Sequence, residues 1–238
     1  MHQLVGYHRP TSVSDARALL EVKNRIVLGG GTTMRHDGGG EPTEVVDLQS
    51  LGLDGIEARD SGVRLGATTR LQDLADHAAV PDVVRDAARL EQPSTLRTLA
   101  TVGGTIGVAD SESILLTALL AYEAVVGFAD ERELSLGEVL QDGLAQEDII
   151  TYVDITDTGK GAIARTGRTP ADKPIVAAVG RTTDGGVRIA LSGVGAVPIV
   201  AEPNKIEDLD PPGDFRGSAQ YRRHLAATLT ARVQGMLT

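Results

Sequence analysis

The sequence predicts an α+β protein: two small mixed lobes, followed by a carboxy-terminal α/β domain with an antiparallel sheet and a terminal helix. Three observations carry this expectation. Along the first two thirds of the chain, apolar residues switch repeatedly between helical and extended spacing. Further on, the turn signal Thr183-Asp184-Gly185-Gly186 separates two extended apolar runs, as in a hairpin. The chain then closes on Tyr221, Leu225, Leu229, Val233 and Met236, which keep helical spacing.

The elements follow in order. Ser12 is placed to cap a helix, with Asp15 three residues on and Ala16, Leu19 and Leu20 on one face. A strand at Arg25 to Leu28 runs into Gly29-Gly30-Gly31-Thr32-Thr33, and a polar Gly38–Gly40 loop precedes a second strand at Glu44 to Leu48. This gives a first lobe over residues 1–53. The second lobe, 54–157, opens with a strand at Gly62 to Ala67 and a helix from about Thr69, lined by Leu71, Leu74 and Ala75. Pro81 suits the opening of the next helix, which ends near Leu90. A linker with Pro93 leads to a second glycine-rich loop, Thr101-Val102-Gly103-Gly104-Thr105, and then to an apolar helix over Ser113 to Tyr122. Strands at Ala124 to Phe128 and Asp148 to Ile155 finish the lobe. Residues 158–238 form the last domain, with a hairpin of Pro174 to Arg181 and Val187 to Gly193, a strand at Val197 to Val200, and a helix from Ser218.

Composition narrows the function. The 238 residues carry a formal charge of −10, so the long-range field repels nucleic acids and anionic membranes. The longest apolar stretch, Ile114 to Ala129, is broken by Thr117 and Glu123 and is too short to span a bilayer. The opening residues lack the pattern of a signal peptide, which leads us to expect a cytoplasmic protein. There is no cysteine, which excludes disulfides, thiolate nucleophiles and thiolate-held iron–sulfur clusters in this chain. With two Phe, four Tyr and no Trp, the core must be aliphatic.

The two Gly-Thr clusters are the strongest chemical signal. Each adjoins an extended segment and offers backbone N–H groups unobstructed by side chains, the arrangement that cradles an anion in a protein short of positive charge. Thr32, Thr33, Thr101 and Thr105 add hydroxyls. Neither cluster has a Gly-Lys-Ser/Thr sequence or the third glycine of the dinucleotide fingerprint. His36, in a polar loop, reads as a solvated residue. Asp110, Glu112 and Asp130 to Glu133 are acidic patches without a spaced His or Cys ligand, which reads as solvated surface rather than a metal site.

Across nearly its whole length the chain resembles the FAD-binding medium subunit of the molybdenum hydroxylase family, of the carbon monoxide dehydrogenase and xanthine dehydrogenase type. Tyr7-His8-Arg9-Pro10-Thr11 resembles the family's opening, and Gly29 to Met34 its first Gly-Gly-Thr loop. Val46-Asp47-Leu48 and Leu65-Gly66-Ala67 resemble the strands that follow. Leu96 to Ile106 is similar to the family's Ile-Arg-Asn-x-Ala-Thr-Ile-Gly-Gly-Asn-Ile segment, the most specific match. Arg165, Arg168 and Asp172 resemble the start of its last domain, and Tyr221-Arg222-Arg223-His224-Leu225 its final helix. The resemblance implies the two-lobed PCMH-type FAD-binding fold. It also implies FAD contacts from Gly29, Gly30, Gly31, Thr32, Thr33, Thr101, Val102, Gly103, Gly104 and Thr105, with Asp110 and Arg165 beside them. The flavin would relay electrons from an iron–sulfur subunit to an external acceptor, with molybdenum cofactor on a third chain and no acid, base or nucleophile here.

Three positions depart from the family pattern: Thr33, Thr105 and Ile114, the last standing where the family has an Asp. An Ile there would leave a flavin hydroxyl without an acceptor and weaken binding. These departures keep two alternatives open. One is a stand-alone protein that has lost FAD and uses the cleft to bind or cyclise a small metabolite. The other is a purely structural subunit.

Overall fold

A computed structural model of the chain describes residues 4–33, 43–155, 159–167, 169 and 172–238. Met34, His36, the Gly38–Gly40 loop, Thr158 and Arg168 lie outside the described residues.

The first lobe is a parallel three-stranded sheet with one helix. Helix α1 (Val13–Leu20) starts as the sequence predicts, because the Ser12 hydroxyl accepts the Asp15 amide at 3.1 Å. Ala16 and Leu20 are its buried face. Strands β1 (Leu4–His8), β2 (Arg25–Leu28) and β3 (Thr43–Asp47) pair in the order β1-β3-β2. Only β3 has neighbours on both sides, which is why Val45 and Val46 are buried while Leu4, Val5 and Tyr7 stay exposed. With no residue of β1 buried, its sequence shows no apolar alternation and does not predict a strand.

The second lobe is built on β4 (Ile56–Arg59), β5 (Gly62–Gly66), β6 (Val125–Phe128), β7 (Glu133–Ser135) and β8 (Ile150–Ile155), in the order β4-β5-β8-β6-β7. Every pairing is antiparallel. Arg64 of β5 forks onto Asp154 of β8 at 2.7 and 2.5 Å and stacks 3.5 Å above the Tyr152 ring. Five helices, α2 (Leu71–Asp76), α3 (Asp82–Glu91), α4 (Ser94–Arg97), α5 (Val102–Val108) and α6 (Ile114–Ala121), fill the connection from β5 to β6; α7 (Leu136–Asp142) joins β7 to β8.

Three expectations are corrected here. Pro81 is the N-cap of α3 rather than its first helical residue, with φ −54° and ψ 139°. The linker after Pro93 contains the short helix α4. Most consequentially, the second glycine cluster is not a loop but the first turn of α5, capped by Thr101. Two adjacent glycines weaken a helix by about 1 kcal/mol each relative to Ala, so propensity argued against it. Packing of Val102 and Ile106 into the core, both at most 1% exposed, outweighs that cost.

The last domain carries β9 (Gly161–Arg165), β10 (Ala177–Thr183), β11 (Gly186–Ser192) and β12 (Ile199–Ala201), ordered β12-β11-β10-β9. Its predicted hairpin is present, with Thr183 paired to Gly186. Alternation along β10 divides its side chains between two cores. Ala177 and Val179 join the core of the second lobe around α6, whereas Val176, just before the strand, and Ala178 join a second core under helix α8 (Ala219–Leu237). Helix α6, buried on all sides, is therefore packed from both directions. Buried Arg222 of α8 donates to the Ile175 and Gly193 carbonyls, both at 2.9 Å, and to Asp214 at 2.6 Å.

Glu123, just past α6, has φ +52°, a left-handed conformation that normally selects glycine. Its carboxylate accepts from fully buried Arg181 at 2.5 Å and lies 3.4 Å from Arg188, which explains why the strain is retained. Removing one partner of an enclosed ion pair costs about 3–5 kcal/mol, and half-exposed Glu123 should fall at or below the lower end. Glu123→Ala is expected to destabilise by about 2–3 kcal/mol, and Glu123→Gly by about 1 kcal/mol less because it relieves the backbone strain. Urea unfolding of both variants checks the order.

Candidate functional site

The two glycine segments meet at one cleft of 360 Å³. Arg25 to Thr33 form one wall, and Ala67, Thr68, Thr101 and the first turn of α5 form the other. Their approach is closer than any side chain would allow. A Cβ on Gly30 would stand 1.8 Å from the Leu99 carbonyl oxygen, and one on Gly29 would stand 2.9 Å from the Thr101 hydroxyl. Gly31, at φ +66°, then turns the chain along the cleft.

The segments differ in what they offer a ligand. Among the described residues, the amides of Gly29 to Thr33 make no hydrogen bond to protein. In the second segment every amide is committed. Val102 donates to Thr69 O at 3.0 Å, Gly103 to Ala67 O at 2.8 Å, Gly104 to the Thr101 hydroxyl at 3.1 Å and Thr105 to Thr101 O at 2.9 Å. The Thr105 hydroxyl is also spent on Thr101 O, at 3.0 Å. The expectation that both clusters supply amide donors is thus corrected. The carbonyls of Ala67 and Thr69 take the first two amides of the second segment and Thr101 takes the next two, so this segment contributes shape and the exposed Gly104 surface.

The far end of the cleft is acidic. Glu91, the last residue of α3, lines it and accepts the Leu115 amide of α6 at 2.9 Å. Burial pushes its carboxyl up from the ordinary range, against the pull of the Leu115 amide, Ser113 and Lys173. Asp110 also lines the cleft, but one oxygen takes the Glu112 amide at 3.0 Å and the other Lys173. Burial alone would raise the Asp110 carboxyl, yet Lys173 and the Glu112 amide outweigh it and hold it below the usual range. Arg25, on the opposite wall, is turned away to Glu44 at 2.6 Å and the Leu19 carbonyl at 3.0 Å.

Of the residues singled out in the sequence, Gly29 to Thr33, Thr101, Gly103, Gly104, Thr105 and Asp110 line this cleft. Val102 is buried beneath it, and Arg165 lies outside it with a bond to Asp172 O at 3.2 Å. Ile114, expected at the ligand, is instead 1% exposed in the core and does not line the cleft. Sequence reasoning passed over Glu91. Its signal was present: Val84, Ala87 and Ala88 mark the buried face of α3, and position 91 continues that face.

Comparison with known proteins agrees with this geometry. Residues 3–155 match the family described as the FAD binding domain in molybdopterin dehydrogenase. The chain is 30% identical over 250 residues to the uncharacterized protein YgfM of Escherichia coli (strain K12), covering 94% of this chain and 93% of that one. In fold it is similar to a chain of the reconstituted CO dehydrogenase from Oligotropha carboxidovorans, with a TM-score of 0.86, 22% identity and all of both chains covered. It is also similar to a chain of quinoline 2-oxidoreductase from Pseudomonas putida 86, with a TM-score of 0.83, 18% identity, all of this chain and 98% of that one. The chain belongs to the family of FAD-binding domains of molybdopterin dehydrogenases.

Proposed function

We propose that this protein is the flavin subunit of a molybdenum hydroxylase, holding FAD in the cleft between β2 and α5. The observation that carries this reading is the row of uncommitted amides at Gly29 to Thr33. They supply neutral donors for a pyrophosphate in a protein of charge −10. A charge-assisted hydrogen bond of this kind is worth about 1.5–3 kcal/mol, so two or three of them suffice to anchor a dinucleotide. The residues present therefore suit the cofactor. Gly29 to Thr33 would hold the pyrophosphate, Thr32 and Thr33 would add hydroxyl donors, and Gly103 and Gly104 would let the ligand lie close to α5.

When bound, FAD supplies two-electron and one-electron redox chemistry, which suits a relay between an iron–sulfur subunit and an external acceptor. This chain's own residues bind, orient and exclude water. The molybdenum cofactor would belong to a further subunit, where substrate is chosen. Among the described residues, no helix is long and apolar enough to cross a membrane. Nor do any three His, Asp or Glu among them form a group able to hold a metal.

Two expectations follow. The purified chain should take up about one equivalent of FAD with the absorbance of a bound flavin, and Gly104→Ala should weaken that binding at least tenfold. An added methyl would stand 2.8 Å from the Thr101 hydroxyl, at the cleft surface. Its fold should survive, because the gain in helix propensity of about 1 kcal/mol offsets the weakened cap, also about 1 kcal/mol. Flavin titration with a parallel thermal melt checks both; a chain that stays colourless with excess FAD overturns the reading and leaves a non-redox binding protein or a purely structural subunit. In the complex purified from its native source, iron and molybdenum should be stoichiometric, while this chain alone should carry neither by elemental analysis.

A further inference from the structure

Glu91 stands where the start of α6 meets the cleft lining, and the Leu115 amide it accepts is a different one from the amide that Ser113 caps. It sits at the end of the apolar face of α3, where Val84, Ala87 and Ala88 precede it, and buries its carboxyl against the start of α6. That helix already has a cap, since the Ser113 hydroxyl accepts the Leu116 amide at 3.0 Å. A buried acid whose carboxyl is raised by desolvation contributes stability only while protonated, and loses it as pH rises through its folded titration.

The surroundings say which part of a ligand it meets. Its Oε2 accepts the Leu115 amide at 2.9 Å and Ser113 adds a hydrogen bond to the carboxyl, whose two oxygens together offer about four lone-pair sites and so can accept from a ligand as well. Asp110, the neighbouring acid, has both oxygens engaged by Glu112 and Lys173. The cleft lining thus combines uncommitted amide donors at Gly29 to Thr33 with a carboxyl acceptor at Glu91. A phosphate would be repelled at the Glu91 end, whereas a hydroxyl would donate to it.

Resting on the FAD reading above, we infer that Glu91 is a ligand-contact residue that accepts a hydrogen bond from a sugar-type hydroxyl of the flavin nucleotide, ribityl or ribose. With the amides of Gly29 to Thr33 it fixes which way the ligand lies in the cleft. Glu91 is a contact residue and takes no part in the redox step.

The test uses the full chain and Glu91→Gln, whose side-chain carbonyl still accepts the Leu115 amide. The apo variant should melt no lower than the wild type. FAD affinity, read by flavin fluorescence, should fall by about five- to thirtyfold, the difference between a charge-assisted and a neutral hydrogen bond. Riboflavin and ADP as competitors then separate the two sources of the hydroxyl. The variant should weaken one fragment and leave the other unchanged, riboflavin for a ribityl contact and ADP for a ribose contact. An equal loss for both fragments indicates a general disturbance and overturns the inference, as does FAD binding within twofold of the wild type. A wild type that binds FAD while Glu91→Gln is unaffected rejects this inference alone; a wild type that takes up no FAD rejects the cofactor reading and this inference with it.

Discussion

The cleft depends on one close approach, that of Gly29 and Gly30 to the backbone at Leu99 and Thr101. Gly30 packs where a Cβ would be 1.8 Å from a carbonyl oxygen, so the first lobe can dock on the second only with glycine at that point. The rest of the site follows from this contact. Docking brings β2 alongside the first turn of α5, aligns the turn at Gly31 with the cleft, and leaves the amides of Gly29 to Thr33 beside a surface that no side chain blocks. A bulkier residue would part the lobes and open the cleft to water.

The two glycine segments, alike in sequence, have different physical tasks. In the first, glycine permits close packing and a left-handed turn, and the backbone donors remain available. In the second, it permits α5 to press on the end of β5, where a Cβ on Gly103 would meet the Ala67 carbonyl at 3.0 Å, and the donors are used internally. Beyond α5, the connection to α6 is held by the last domain. Gly193 donates to Ser111 O at 2.7 Å, Lys173 pairs with Asp110, and Arg216 pairs with Glu112. The terminal domain therefore fixes the acidic end of the cleft, although none of the lining residues belongs to it.

Much of this was legible from residue patterns because the local signals and the tertiary packing agree. Ser12, Ser113 and Ser218 each cap the helix that the spacing predicted, and the Asp184-Gly185 turn closes the hairpin as expected. What escaped was governed by distant contacts. Strand β1 carries no alternation, since Leu4, Val5 and Tyr7 are all exposed and no residue of it is buried. The Gly103-Gly104 pair read as a loop because its helical state is imposed by the burial of Val102 and Ile106. Ile114 was assigned to the ligand from its place in a motif, yet its side chain points into the core, and the acid at that end comes from Glu91, over twenty positions earlier in the chain. Which oxygen or amide stays uncommitted is set only once all three sheets are assembled.

On the proposed function the first glycine segment would supply the anion's donors, while the amides of the second are already satisfied by the protein. Amide hydrogen exchange with and without FAD measures this directly. The amides of Gly29 to Thr33 should exchange rapidly in the apo protein and become strongly protected when FAD is added, whereas those of Val102 to Thr105 should be slow in both states. Protection that appears at Val102 to Thr105 instead, with Gly29 to Thr33 unchanged, would contradict it.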